Sequence, residues 1–437
     1  MVRTVAALVI AAALPAAAGA QAIDAVEQRI VQWIDDHQDE QVAFLERVVN
    51  INSGTMNHEG VRQVGRLFQA ELDALGFASR WVSLPDTVNR AGHLFAERRG
   101  DRGKRLLLIG HLDTVFEEHS PFQRFERVDS VTARGPGVED MKGGNVVIVY
   151  ALKALAAAGA LEGVSIDVAL TGDEEDTGDP LDVTRHDLIA AGRRADAALG
   201  FEGGVGHVNT ATVARRGFTG WVLRVYGRQG HSSQIFSERY GAGAIYEAAR
   251  IVSAFYDELA GEEHLTFGAG IIVGGTEALY DAAAARGSAF GKTNVIPQAV
   301  TVAGDLRTLT AQQRERVKER MRRIVELNHL PGTTAEITFR DSYPPMAPTA
   351  GNAALLARLD TVSMDLGLGT VEPVHPGRRG AADVSFVAPY VDALDGLGPV
   401  GSGGHTTEET VDLRSLPIVT KRAALLIYRL TRGHGAS

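Results

Sequence analysis

Residues 105–113 read RLLLIGHLD, and this stretch decides the fold. Leu106, Leu107, Leu108 and Ile109 follow one another without polar interruption, the pattern of a strand buried on both faces. Similar runs recur at Ser165 to Gly172 (SIDVALTG) and Ala195 to Gly200 (ADAALG). Between and before them the apolar spacing is helical, from Ala25 to Leu45, from Val61 to Leu75 and from Lys142 to Ala158. Alternation of this kind predicts an α/β unit, a mostly parallel sheet flanked by helices.

The pattern changes after Arg216. Phe218 to Arg228 alternates with period two, Ala242 to Leu259 is helical, and Leu265 to Gly274 and Asn294 to Leu306 read as strands. A charged helix from Ala311 to Leu327 and a strand from Ala335 to Arg340 follow. Strand-helix-strand-strand-helix-strand is the ferredoxin-like split motif, so an α+β unit at 217–342 is expected inside an α/β unit made of 23–216 and 343–437. Tyr343-Pro344-Pro345 marks the return, and the Gly-rich passage from Gly396 to Gly404 must be a loop.

Composition narrows the chemistry. The 437 residues carry 44 Lys plus Arg against 54 Asp plus Glu, a formal net charge of -10. A diffuse carboxylate excess argues against nucleic acid and anionic membrane surfaces as partners. There is no cysteine, so any metal must be held by His, Asp and Glu. Residues 1–22 have Arg3 as their only charge, an apolar stretch from Thr4 to Leu14 and small residues after Pro15. They read as a secretory signal peptide cut after Ala20 or Ala22. The apolar core is shorter than the ~20 residues of a spanning helix, which disfavours a membrane anchor. The mature chain is expected to be periplasmic or secreted, with no membrane attachment.

Three strands run directly into polar residues: LLLIG into His111-Leu112-Asp113, DVALTG into Asp173-Glu174-Glu175, and ALGF into Glu202. In open α/β sheets the binding crevice lies at such strand ends. Each signal alone has a plainer reading. His-x-Asp is more often a surface loop, residues 173–176 a solvated acidic turn, and Asp140 the N-cap of the helix from Lys142. Glu202 reads equally as an exposed loop acid, and His405 as a loop histidine. Together, two histidines and several carboxylates from separate strand ends form the donor set of a pair of divalent ions with a bridging carboxylate. Asp113 then suits an outer role, since a ligating histidine usually donates its other nitrogen to a carboxylate.

Nine motifs give the chain a family likeness: GHLDTV (110–115), GPGVEDMKGG (135–144), TGDEEDTG (171–178), LGFEGG (199–204), RRG (215–217), GRQGHSS (227–233), TNVIP (293–297), DLR (305–307) and GGHTTEE (403–409). In this order they resemble the zinc-dependent exopeptidases and acylases of the glutamate carboxypeptidase, aminoacylase and succinyl-diaminopimelate desuccinylase type, above all the bacterial glutamate carboxypeptidase branch. The resemblance implies two Zn2+ per subunit, with Co2+ or Mn2+ as substitutes. His111 and Glu202 would hold one ion, Glu175 and His405 the other, and Asp140 would bridge them. Glu174 matches the general base. The inserted unit matches a dimerisation or lid domain, which implies a homodimer in which His231 reaches the partner's site and stabilises an oxyanion. Asn294 and Arg307 match substrate-binding residues, Arg307 being suited to a terminal carboxylate.

Departures bear on substrate. Where relatives carry Gly-Gly-Thr/Ser-Asp in the substrate pocket, this chain reads Arg379-Gly380-Ala381-Ala382-Asp383, which keeps Gly380, loses a hydroxyl and adds positive charge. By the same resemblance, Glu202 in place of Asp goes with carboxypeptidase and acylase activity. The expected function is a carboxypeptidase acting on small peptides, with an N-acyl-amino-acid amidohydrolase or dipeptidase as the close alternative. A non-catalytic binding protein and a two-metal phosphoesterase are the readings from other classes.

Overall fold

The computed structural model describes residues 23–282 and 284–432. The expected signal peptide, residues 1–22, lies outside the described residues. The central sheet has six strands in the spatial order Ala78–Val82, His93–Arg98, Val164–Thr171, Arg102–His111, Ala197–Gly200 and Ala393–Leu394. The last four run parallel, and the first two are joined to them by antiparallel pairings.

The RLLLIG run occupies a central strand of this sheet. Leu106 and Leu108 join the core on one face with Val147, Leu152 and Leu426, while Leu107 and Ile109 join the other face with Leu188, Phe386 and Val387. Burial on both faces explains the unbroken run, and each such side chain contributes roughly 2 kcal/mol. The helix Lys142–Ala157 packs at Gly144 against the end of the neighbouring strand Ala197–Gly200, since a Cβ there would lie 1.9 Å from the Phe201 carbonyl oxygen.

The helical spacing from Ala25 to Leu45 is carried by two helices, Ala25–Asp36 and Gln38–Val49, not by one. At the break His37 stacks on Trp33 with centroids 3.9 Å apart, and its Nδ1 lies 2.7 Å from the Trp33 carbonyl oxygen. That carbonyl is the one the His37 N–H would use in a continuous helix; the N–H instead donates to Ile34.

The inserted sheet is antiparallel throughout, ordered Thr266–Gly275, Ala299–Thr308, Gly217–Tyr226, Thr334–Asp341. Helices Ala244–Leu259 and Ala311–Glu326 cover one face, where Trp221, Leu223 and Val225 meet Ile251, Phe255 and Met321. This is the ferredoxin-like arrangement expected from the sequence. A hairpin, Glu277–Asp281 with Arg286–Phe290, is an addition the sequence reading did not contain. Its Leu279 and Phe290 are exposed, so no core-directed alternation marks it.

Candidate metal centre

The sheet order sets the ligands side by side. Val164–Thr171, Arg102–His111 and Ala197–Gly200 are neighbours, so Glu174 and Glu175, His111, and Glu202 leave adjacent strand ends on one rim. Asp140 enters from the loop before Lys142–Ala157, and His405 from a loop next to a small sheet that pairs Thr410–Asp412 with Thr132–Arg134.

Two groups of potential ligands result, His111 with Asp140 and Glu202, and Asp140 with Glu175 and His405. His111 Nε2 is 3.2 Å from Asp140 Oδ1 and 3.6 Å from Glu202 Oε1. His405 Nε2 is 3.1 Å from Asp140 Oδ2 and 3.2 Å from Glu175 Oε2. One carboxylate therefore offers a separate oxygen to each group, the geometry of a bridging ligand. Some contacts depart from the plainer readings, although Asp176 in the acidic turn is exposed. Asp140 makes no side-chain cap to the helix, Asp173 is fully buried rather than solvated, and the exposed His405 aims its Nε2 into the cluster.

Asp113, fully buried, organises this rim. Its carboxylate accepts the N–H groups of Glu174 and Glu175 at 3.1 Å each and the Thr55 hydroxyl at 2.7 Å. His111 Nδ1 lies 3.0 Å from the Asp113 carbonyl oxygen and 3.4 Å from its carboxylate, so the backbone is the nearer partner. Either contact leaves Nε2 free to ligate.

The substrate residues suggested by resemblance stand apart from this cluster. Asn294 is exposed and its carbonyl accepts the Ser232 N–H. His231 is exposed and bonded to Ser233, and Arg307 pairs with Asp305 at 2.9 Å above the Phe218 ring. Gly380, also exposed, offers its carbonyl to Arg215 Nη1 at 2.9 Å.

Two tying residues escaped the sequence reading. Arg185, fully buried, pairs with Asp173 at 2.6 Å and Asp383 at 2.8 Å, and so fixes the turn that carries Glu174. The buried Glu409 accepts the N–H groups of Gly137, Glu139 and Asp140 at 3.0, 2.9 and 3.1 Å. Its own N–H donates to the Thr406 carbonyl in the His405 loop, so it ties that loop to the backbone of Asp140. Glutamine there offers a single acceptor oxygen to three donors. Glu409→Gln is expected to weaken metal binding about 10- to 100-fold in chelator competition, and unchanged affinity would show the tie to be dispensable.

Packed carboxylates shift one another. Burial pushes Glu175 and Glu202 up to about 7, with the Asp140 charge adding to it, and Glu409 to about 7 against its backbone bonds. Burial likewise raises Glu139 to about 8. Asp140 resists the same burial through hydrogen bonds with His111 and His405, which hold it well below the carboxylate range. Hydrogen bonds to Asp140 and Glu175 raise His405 to about 11.

Unfolded glutamates titrate near about 4.3. Between that pH and about 8 these glutamates hold extra protons in the folded chain, so their contribution to stability falls as pH rises. Buried Lys142 and His93, whose values burial lowers, act in the opposite sense. His405, protonated above its unfolded range, acts in the same direction as the glutamates. Chelator-treated protein should therefore melt about 5 °C or more lower at pH 8 than at pH 5.5. Added zinc should remove most of that slope, because bound cations invert the local charge balance. A pH-independent melting temperature without metal would contradict this charge picture.

Comparison with known proteins bears out the family likeness of the motifs. The model of peptidase family M20/M25/M40 matches residues 107–429, well over half of the chain. Carboxypeptidase G2 of Pseudomonas sp. (strain RS-16) is 27% identical over 410 residues, 92% of each chain. A succinyl-diaminopimelate desuccinylase of Alkalilimnicola ehrlichii is 29% identical over 384 residues, 84% of this chain and 93% of that one. Among solved structures, a tripeptidase from Staphylococcus aureus subsp. aureus mu50 shares the fold with a TM-score of 0.69 at 18% identity, over 90% of this chain and 98% of that one. An M20 family metallo-carboxypeptidase from Sulfolobus solfataricus does so with 0.63 at 16%, over 90% and 99%. The chain belongs to peptidase family M20/M25/M40 and is a hydrolytic metallopeptidase or amidohydrolase.

Proposed function

We propose that this enzyme hydrolyses the amide bond to a C-terminal amino acid bearing a free carboxylate, with two zinc ions held by His111, Glu202, Glu175, His405 and the shared Asp140. The observation that carries this reading is Asp140 itself, whose two oxygens lie 3.2 and 3.1 Å from the two histidines. Imidazole and carboxylate donors without thiolate fit Zn2+, and Co2+ or Mn2+ by the same chemistry. Bound there, the ions supply Lewis acidity toward the substrate carbonyl and acidify a water.

The chain's own residues handle the proton. Burial pushes the Glu174 carboxyl well above its usual range, against His111 and with Glu202 and Glu175 adding to it. A carboxylate with raised proton affinity suits a base that takes a proton from the attacking water and returns it to the leaving nitrogen. Asp113 holds Glu174 and Glu175 by their backbones, which fixes base and ligand together. Arg307 is assigned to the free carboxylate of the substrate, and Asn294 and Gly380 are assigned to substrate binding as well.

The reading includes a homodimer joined through the inserted sheet, with His231 donated across it. Exposed Ile272 on the edge strand Thr266–Gly275, and Leu279 and Phe290 on the hairpin, support a surface of that kind. It also includes export to the periplasm or beyond. No helix among the described residues is long and apolar enough to cross a membrane.

A panel of dipeptides, N-acyl amino acids and their carboxamide-blocked counterparts tests the substrate class on zinc-loaded protein. Free-carboxylate substrates should be cleaved and blocked ones left intact. Equal cleavage of both sets would remove the carboxylate requirement. A desuccinylase-like preference, suggested by the second relative, would appear as N-succinyl substrates outpacing dipeptides.

A further inference from the structure

Tyr343 sits where the chain returns from the inserted sheet to the central one. The outgoing and returning crossings pair with each other: Phe218 N–H donates to the Tyr343 carbonyl at 2.9 Å, and Arg215 and Met346 exchange N–H bonds at 2.9 and 3.0 Å. The Tyr343 side chain turns away from this pairing and into the turn that carries Glu174. Its hydroxyl donates to the Glu174 carbonyl at 2.9 Å, lies 2.9 Å from Thr177 Oγ1 and accepts from Arg185 Nη2 at 3.3 Å. Tyr343 is 8% exposed, and its ring packs on Phe386 with centroids 4.9 Å apart.

Glu174 is therefore held at both ends of its backbone by side chains. Asp113 takes its N–H at 3.1 Å from the central sheet, and Tyr343 takes its carbonyl from the crossing. A second tie runs the same way: Arg340, on the last inserted strand, pairs with Asp179 at the far end of the same turn. Tyr343 at the crossing and Arg340 on the last inserted strand thus give two contacts through which the seating of the inserted sheet can reach this turn.

We propose that Tyr343 is a positioning residue that couples the orientation of Glu174 to the seating of the inserted sheet on the central one. The proposal rests on the base role given to Glu174 above. The inserted sheet then contributes to turnover through the base, in addition to any contact it makes with substrate.

Tyr343→Phe in the full-length, zinc-loaded enzyme tests this. The variant keeps the ring and its packing on Phe386, so the melting temperature should stay within about 4 °C of wild type. With one hydrogen bond lost to the base's peptide, kcat should fall about tenfold while KM changes less than about twofold. Hydrogen exchange of a peptide covering residues 172–180 should quicken about tenfold. Arg340→Gln, at an exposed pair that folding does not depend on, should quicken the same peptide about twofold.

Unchanged kcat and unchanged exchange in an active enzyme overturn the proposal. So does a parallel loss of kcat, KM and melting temperature, which marks a tyrosine that only holds the fold together. If the wild-type enzyme cleaves nothing in the substrate panel, the base role of Glu174 falls instead, and exchange in the two variants still decides whether Tyr343 holds the turn.

Discussion

Glu174→Gln is expected to lower kcat about a thousandfold or more while metal content stays at the wild-type level. Glutamine keeps the size of the side chain and both backbone anchors, the N–H to Asp113 and the carbonyl to the Tyr343 hydroxyl. It removes only the ability to take and return a proton, a function worth 10²- to 10⁴-fold when a positioned carboxylate supplies it. Glu174 belongs to neither ligand group, so metal affinity should be nearly unchanged. Rate measurement beside elemental analysis of the same preparation checks both halves. A variant that loses zinc along with activity would make Glu174 a ligand, and one that keeps its rate would remove it from the reaction.

Asp140→Ala is the second large effect. Both groups of ligands contain Asp140, so one substitution strips a donor from each. Calorimetric titration with zinc should show affinity reduced about a hundredfold or more at both sites, and activity should be lost with it. Glu202→Ala and His405→Ala should each weaken one ion and spare the other. The same contrast should appear in melting temperature, since an ion bound only by the folded chain stabilises it by mass action. Wild-type protein should gain melting temperature with added zinc, and Asp140→Ala should gain little. Two independent sites with no shared residue would instead leave one high-affinity ion in the Asp140 variant.

The features legible in the sequence share a physical cause. Leu106 to Ile109 had to be a strand buried on both faces, and the residues after it had to lie on the rim where ligands gather. The inserted strand Gly217–Tyr226 was legible because Trp221, Leu223 and Val225 alternate against a single core. What stayed hidden depends on distant contacts. Glu409 looks like one more loop acid until its three donors, 269 to 272 residues away, are brought to it. Arg185 lies in a polar stretch, VTRHD, that gives no hint of full burial between two aspartates. Tyr343 read only as a turn marker, because its hydroxyl finds Glu174 across the crossing. The break at His37 escaped for a local reason: its ring takes a helix carbonyl, which apolar spacing does not record.

The central claim, a two-ion centre sharing Asp140, is tested most directly by stepwise reconstitution. Chelator-stripped protein receives zinc in increments, and hydrolysis of an N-acyl amino acid with a free carboxylate is followed at each step. No turnover is expected without metal, and the rate should rise to a plateau at two equivalents per chain. Full activity in stripped protein, or a plateau at one equivalent, would contradict a two-ion centre.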